Sequence, residues 1–206
     1  MRIITKLISL CFIATLLAGT VAIAADGYKT IKPVQPTKTG NKIEVLEIFW
    51  YGCPHCYGLE PVLTAWKKDL PDDVQFRRMP AALNKNWLAH AKAFFAAEKM
   101  GVLEQMHTRM FEALHGERKR IFTRDQIIDF VGDLGIDEDE FSKHYDSNET
   151  EIKLREAFIM AQRYKIRGVP TVVVNGKYMT SVTLSGSEQD MLDVIDGLIE
   201  MERAQQ

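Results

Sequence analysis

The chain has 206 residues, 46% of them apolar and 26% charged, with 26 Lys and Arg against 28 Asp and Glu for a net charge of −2. Such values describe an ordinary globular protein with enough chain for one sizeable core, or for one domain carrying a large insertion. They give no support to a nucleic-acid partner: the only basic cluster, Arg118-Lys119-Arg120 with Arg124, is short and reads as a solvated turn between helices.

Residues 1–24 read as an export signal. Arg2 and Lys6 form a positive start, Leu7 to Ala18 an apolar stretch, and Ala22-Ile23-Ala24 a small-residue cleavage site. Cleavage would discard Cys11 and leave Cys53 and Cys56 as the only cysteines of the mature chain, in an oxidising compartment. Residues 25–42, with Pro33, Pro36 and Gly40, read as a linker-like arm with a short edge strand near Tyr28–Ile31. Ile43 to Trp50 is β-branched and aromatic, as expected of a buried central strand. On it, Glu47 is a carboxylate that costs free energy unless it is paired or protonated, and Arg77 and Arg78 are its candidate partners. Glu44 is expected on the same face but exposed.

Cys53-Pro54-His55-Cys56 follows that strand directly and opens a helix expected to run to about Leu70, with Leu59, Val62, Leu63 and Trp66 inward. Cys53 thereby meets a helix N-terminus, where unpaired amide N–H groups favour a thiolate. Pro54 fits the first turn, since its missing N–H costs nothing there. His55 adds positive charge beside the sulfur. Gly52 keeps the mouth of the site uncrowded. A disulfide enclosing two residues is a poor staple, which favours working chemistry over scaffold. Zinc would need further ligands at matching spacing, so no metal or other cofactor is expected. Haem attachment would need a histidine where Tyr57 stands.

A second strand spans Val74 to Met79. Residues 84–146 read as an all-helical block, with Trp87, Leu88, Ala91, Phe94 and Phe95 on one face of its first helix and Thr123 and Asp137 as N-caps further on. His90 and His107 read as helix-surface or packing residues. A long helix from about Glu149 to Lys165 is expected to turn Ile152, Phe158, Ala161 and Tyr164 inward. Then come Gly168-Val169-Pro170, the strand Thr171 to Val174, the hairpin signal Asn175-Gly176, a returning strand Lys177 to Thr180, and a last helix capped by Ser187.

Three stretches together, Phe49 to Tyr57, Gly168 to Thr171 and Val174 to Tyr178, resemble the DsbA family of periplasmic thiol:disulfide oxidases. The resemblance implies an α/β thioredoxin fold interrupted by an all-helical domain, with 25–83 and 147–206 as the thioredoxin-like part and 84–146 as the insertion. It implies that Cys53 is the exposed nucleophile and leaving group and Cys56 its shielded partner. It also implies that Pro170 is a cis-proline against the cysteines, that the Val169 backbone receives an extended substrate, and that Glu47 handles the proton of the inner cysteine. Where the better-known pattern has lysine beside this acid, the present chain offers arginine. Trp50 and Tyr57 are candidates for an apolar substrate surface. The implied partners are unfolded or newly translocated cysteine-containing proteins and a DsbB-type, quinone-linked membrane oxidase, the chain acting as a monomer. The rival readings are an isomerase or reductase, or a periplasmic binding module without turnover.

Overall fold

A computed structural model describes residues 27–205, so the expected export signal lies outside the described residues. Five strands form one mixed sheet: β1 (Tyr28–Thr30), β2 (Ile43–Phe49), β3 (Val74–Pro80), β4 (Thr171–Val174) and β5 (Tyr178–Thr180), in the order β1-β5-β4-β2-β3. β2 pairs parallel with β3 and antiparallel with β4, so both its edges are hydrogen-bonded and all seven of its residues are buried. That explains its near-continuous apolar sequence. Between β2 and β3 lies α1 (Pro54–Trp66), which tightens into a 3₁₀ turn at Lys67–Asp69.

Alternation along β2 assigns its side chains to two cores. Ile43 and Val45 join Leu59 and Leu63 of α1 and the apolar face of α8 (Glu188–Arg203), including Met191, Ile195 and Leu198. Leu46 and Ile48 face the other way, into a larger core built with α2 (Lys85–Met100), α3 (Leu103–His115), α4 (Arg124–Asp133), α5 (Glu138–Tyr145) and α6 (Asn148–Arg163). That core continues without a break from the sheet into the helices, through Phe49, Tyr51, Phe94, Met106 and Phe111. The architecture is a thioredoxin fold carrying a helical insertion.

The N-caps Thr123, Asp137 and Ser187 fall where the sequence puts them, and Ser147 caps α6 without having been singled out there. Thr123 and Gln126 form a reciprocal capping box, and Asp137, Ser147 and Ser187 each accept from an amide of the first turn. The Arg118–Arg120 cluster is exposed between α3 and α4. A short α7 (Val182–Ser185) precedes α8 and has no counterpart in the sequence reading.

Two expectations fail. Glu44 is only 2% exposed, and it lies on the opposite face of β2 from Glu47, as the odd spacing between them requires. It is tolerated there because Arg77 donates to it at 2.8 Å and the Lys38 amide at 2.9 Å. On α6, Ile152 and Phe158 are 51% and 44% exposed, and the inward stripe is Thr150, Leu154, Ala157, Ala161 and the following Tyr164. This stripe repeats at helical spacing, and its alanines let the helix approach its neighbours closely; the bulkier apolar residues fall off it.

At the β4–β5 hairpin, Asn175 and Gly176 both adopt positive φ, 48° and 66°, matching the right-handed twist of the strands. A Cβ on Gly176 would also stand 2.1 Å from the Gln35 carbonyl oxygen. Gly176→Ala should therefore destabilise the protein by about 1–3 kcal/mol in denaturant unfolding, whereas an unchanged midpoint would contradict this account of the turn.

Candidate active site

β2 ends at Phe49, the chain turns through Trp50 to Gly52, and Cys53 becomes the N-cap of α1 with extended backbone. No acidic residue occupies the first turn of that helix, so its free amides meet no competing carboxylate from the helix itself. The two cysteines are thiols in this structure. Cys53, expected to be exposed, is largely buried at 8% exposure, and Cys56 is fully buried one turn deeper. The Cys56 thiol, donating to Cys53, lowers the pKa of Cys53 to about 6 against the opposing effect of burial; the amides of Cys56 and His55 and the charge of His55 add to the lowering. Burial drives the pKa of Cys56 strongly upward, and its hydrogen bond to Cys53 adds to that rise. One thiol is thus poised to ionise and its neighbour is held protonated.

Val169 and Pro170 pack beside the pair. Their peptide bond is cis, and the Val169 carbonyl accepts from Cys53 Sγ at 3.4 Å. His55 is exposed and borders the same opening as Val169. Trp50 is half-buried and stacks on Trp87 with ring centroids 4.7 Å apart. The space beside Gly52 is therefore occupied rather than open: a Cβ there would sit 2.3 Å from the Trp50 ring. Tyr57 donates to Glu112 at 2.8 Å and stacks on His115, which ties α1 to α3. Both aromatic residues contribute to packing between the sheet and the helical insertion.

Beneath the cysteines lies a buried polar network. Arg78 donates from Nε to Glu47 at 2.9 Å and from Nη2 to both oxygens of Glu60 at 2.8 Å. Arg77 serves Glu44 instead, which settles the pairing left open by the sequence. Burial raises the Glu47 pKa to about 7 in spite of the Arg78 charge, and its Oε1 has no partner among the described residues. Burial lowers the His107 pKa, so the imidazole is neutral at neutral pH. It accepts from the Tyr51 hydroxyl at Nδ1, 2.8 Å, and donates from Nε2 to Glu60 at 3.3 Å. His90 is likewise buried, against the Ile121 carbonyl.

Sequence reasoning did not anticipate Glu60, Tyr51 and His107 as members of this network. Glu60 carried a signal: it stands four residues after Cys56 and seven after Cys53, hence on the cysteine face of α1. His107 carried none, because only the fold brings α3 against the end of β2.

A thioredoxin fold with an asymmetric dithiol at a helix N-terminus, facing a cis-proline loop, defines a thiol:disulfide oxidoreductase. A model of the DSBA-like thioredoxin domain matches residues 72–194. The thiol:disulfide interchange protein DsbA of Pseudomonas aeruginosa is 40% identical over 181 residues, 88% of this chain and 86% of that protein. DsbA of Azotobacter vinelandii is 43% identical over 171 residues, covering 83% and 80%. The crystal structure of P. aeruginosa DsbA superposes with a TM-score of 0.83 at 40% identity, covering 86% of this chain and 93% of that one. The chain belongs to the DSBA-like thioredoxin family, and it is a protein disulfide oxidoreductase acting on cysteine-containing proteins.

Two outcomes follow from the packing and the charges. Gly52→Ala should displace Trp50 from Trp87 and change the tryptophan fluorescence and near-ultraviolet dichroism, and spectra identical to the parent would refute the contact. Glu47, with a folded pKa of about 7 above the ordinary 4.5, supports the fold below pH 4.5 and loses that support as pH rises through 7. Glu47→Gln should therefore lose less stability than the parent between about pH 5 and 8, by on the order of 1–3 kcal/mol, and equal slopes would contradict it.

Proposed function

We propose that Cys53 is the sulfur attacked by substrate and Cys56 the thiol that holds the resting disulfide closed. A substrate thiolate attacks Cys53 Sγ, forming a mixed disulfide and releasing Cys56 as a thiolate. Cys56 strongly favours its proton, and Glu47, whose charge is felt at Cys56 and whose own pKa is near 7, is suited to supply it. A second substrate thiolate then attacks the substrate sulfur of the mixed disulfide, and Cys53 departs as a stable thiolate. Substrate loses two electrons and two protons. The electrons reside in the dithiol, one proton is on Cys56, and the other passes to solvent.

The Val169 carbonyl, His55 and the edges of Trp50 and Tyr57 form the surface an extended substrate would meet. Residues 84–146 serve as a cover that completes this surface from the α3 side. Reoxidation falls to a quinone-linked membrane protein of the DsbB type, and the enzyme works as a periplasmic monomer released from its export signal. The observation that carries the reading is the placement of Cys53 at the N-cap of α1 beside the Val169–Pro170 loop, with Cys56 fully buried one turn deeper.

Trapping tests it. Offered a substrate cysteine already joined in a disulfide to a good leaving thiol, Cys56→Ser should accumulate a mixed disulfide between Cys53 and substrate as that thiol departs, whereas Cys53→Ser should neither trap nor oxidise; covalent capture by Cys53→Ser would reverse the assignment. A binding module without turnover would be unaffected by either change. Stability in the two redox states gives a second check. A Cys53 pKa lowered from 9.0 to about 6 stabilises the dithiol protein fully above pH 9, and that support fades as pH falls through 6. The dithiol form should exceed the disulfide form by a margin that grows between these limits, on the order of 2–4 kcal/mol. A disulfide form that is the more stable throughout would indicate a reductase.

A further inference from the structure

The active-site opening continues into a groove of about 900 Å³. His55, Val169 and Pro170 form its catalytic end, so a peptide whose thiolate reaches Cys53 lies along it. The floor is apolar, with Ile31, Met179 and Leu184. The rim is cationic: Lys29, Lys32, Arg163, Lys165 and Arg167 all border the groove and all are exposed. Glu188 is the only carboxylate bordering it among the described residues.

These cations are not spent on ion pairs. Elsewhere on the surface Lys38 pairs with Glu156 and Lys153 with Glu98, whereas none of the five rim cations lies within salt-bridge distance of a described carboxylate. Helix electrostatics accounts for part of the cluster, since Arg163 and Lys165 lie at the C-terminal end of α6, where positive charge offsets free carbonyls. That reason does not extend to Lys29 and Lys32, which come from β1 and the segment after it. Two distant parts of a chain whose net charge is −2 thus place unpaired cations around one groove.

We propose that the groove selects, among cysteine-bearing proteins, extended segments with acidic residues flanking the reactive cysteine. The inference rests on the oxidase reading, because it assigns a preference to substrates of that same site. Clustered charge along a cleft steers an oppositely charged ligand and holds it in register while the apolar floor takes the alternate side chains.

The test uses the oxidised wild-type protein and three reduced peptides that share one two-cysteine core, flanked by acidic, neutral or basic residues. In each reaction the peptide dithiol becomes a disulfide as the Cys53–Cys56 disulfide is reduced. At low ionic strength the acidic peptide should react at least about tenfold faster than the basic one, and the ratio should fall towards one in high salt. Equal rates, or a faster basic peptide, would overturn the proposal. Dithiothreitol, which carries no flanks, reports separately on the oxidase reading: if it too is not oxidised, that reading fails; if it is oxidised while the peptides react alike, only the groove preference fails. The double charge reversal Lys165→Glu with Arg167→Glu, and independently Lys32→Glu, should shrink or invert the ratio. An undiminished ratio in both would place the preference elsewhere and refute this groove. A variant slow with all three peptides has misfolded, and the wild-type ratio and its salt dependence then decide alone.

Discussion

A negative charge on Cys53 is stabilised by the thiol of Cys56 and, less strongly, by the first-turn amides of α1, and the remainder of the molecule is arranged to make that possible. β2 must be rigid on both edges to deliver residue 53 to the helix start, and its pairing with β3 and β4 supplies this rigidity. The helix must begin with no carboxylate of its own, and it does. Cys56 must be deep enough to stay protonated, and it lies in the larger core among aromatic residues of the helical insertion. The oxidising character of such a pair is a difference in stability between two covalent states, because a thiolate stabilised in the dithiol form has no counterpart in the disulfide form.

The same geometry explains why the molecule tolerates so much buried charge. A lone Glu47 under the cysteines would be costly, and a lone Arg78 equally so. Joined through Glu60, and from there through the neutral His107 to Tyr51, they form a network in which nearly every polar atom has a partner. The exception is Glu47 Oε1, which has no partner among the described residues. Arginine in place of lysine makes the difference here: a guanidinium reaches Glu47 and grips both oxygens of Glu60 at once, which an ammonium cannot do in a fixed plane. His107 and Tyr51 also mean that the helical insertion shares this network, so α3 is joined to the redox site through hydrogen bonds as well as through packing.

Much of this was readable before any coordinates. Ile43 to Phe49 announced a buried strand by composition, Asn175-Gly176 a two-residue hairpin by its need for positive φ, and Thr123, Asp137 and Ser187 the helix starts by their side-chain oxygens. These are local signals, settled by a few neighbouring residues. What failed depended on partners far away in sequence. Glu44 looked like a surface acid because nothing near it shows that Arg77 and the Lys38 amide will meet it in the interior. On α6 the inward face follows the repeat of Thr150, Leu154, Ala157 and Ala161 rather than the bulk of Ile152 and Phe158, because the alanines allow close approach on the one buried side. His107 could not be placed at all from sequence, since its role arises from a contact 56 residues away. The cationic groove belongs to the same class: Lys29 and Arg167 are unremarkable separately and acquire meaning only across the cleft.

The most direct test of the central claim is the ionisation of Cys53 in the reduced protein, followed by thiolate absorbance in the ultraviolet across pH. One thiolate should appear with a midpoint near pH 6, with the second sulfur silent until far more alkaline conditions. A first thiolate arising only near pH 9, the ordinary value for a cysteine, or two thiolates appearing together, would contradict the account and remove the driving force assigned to the enzyme.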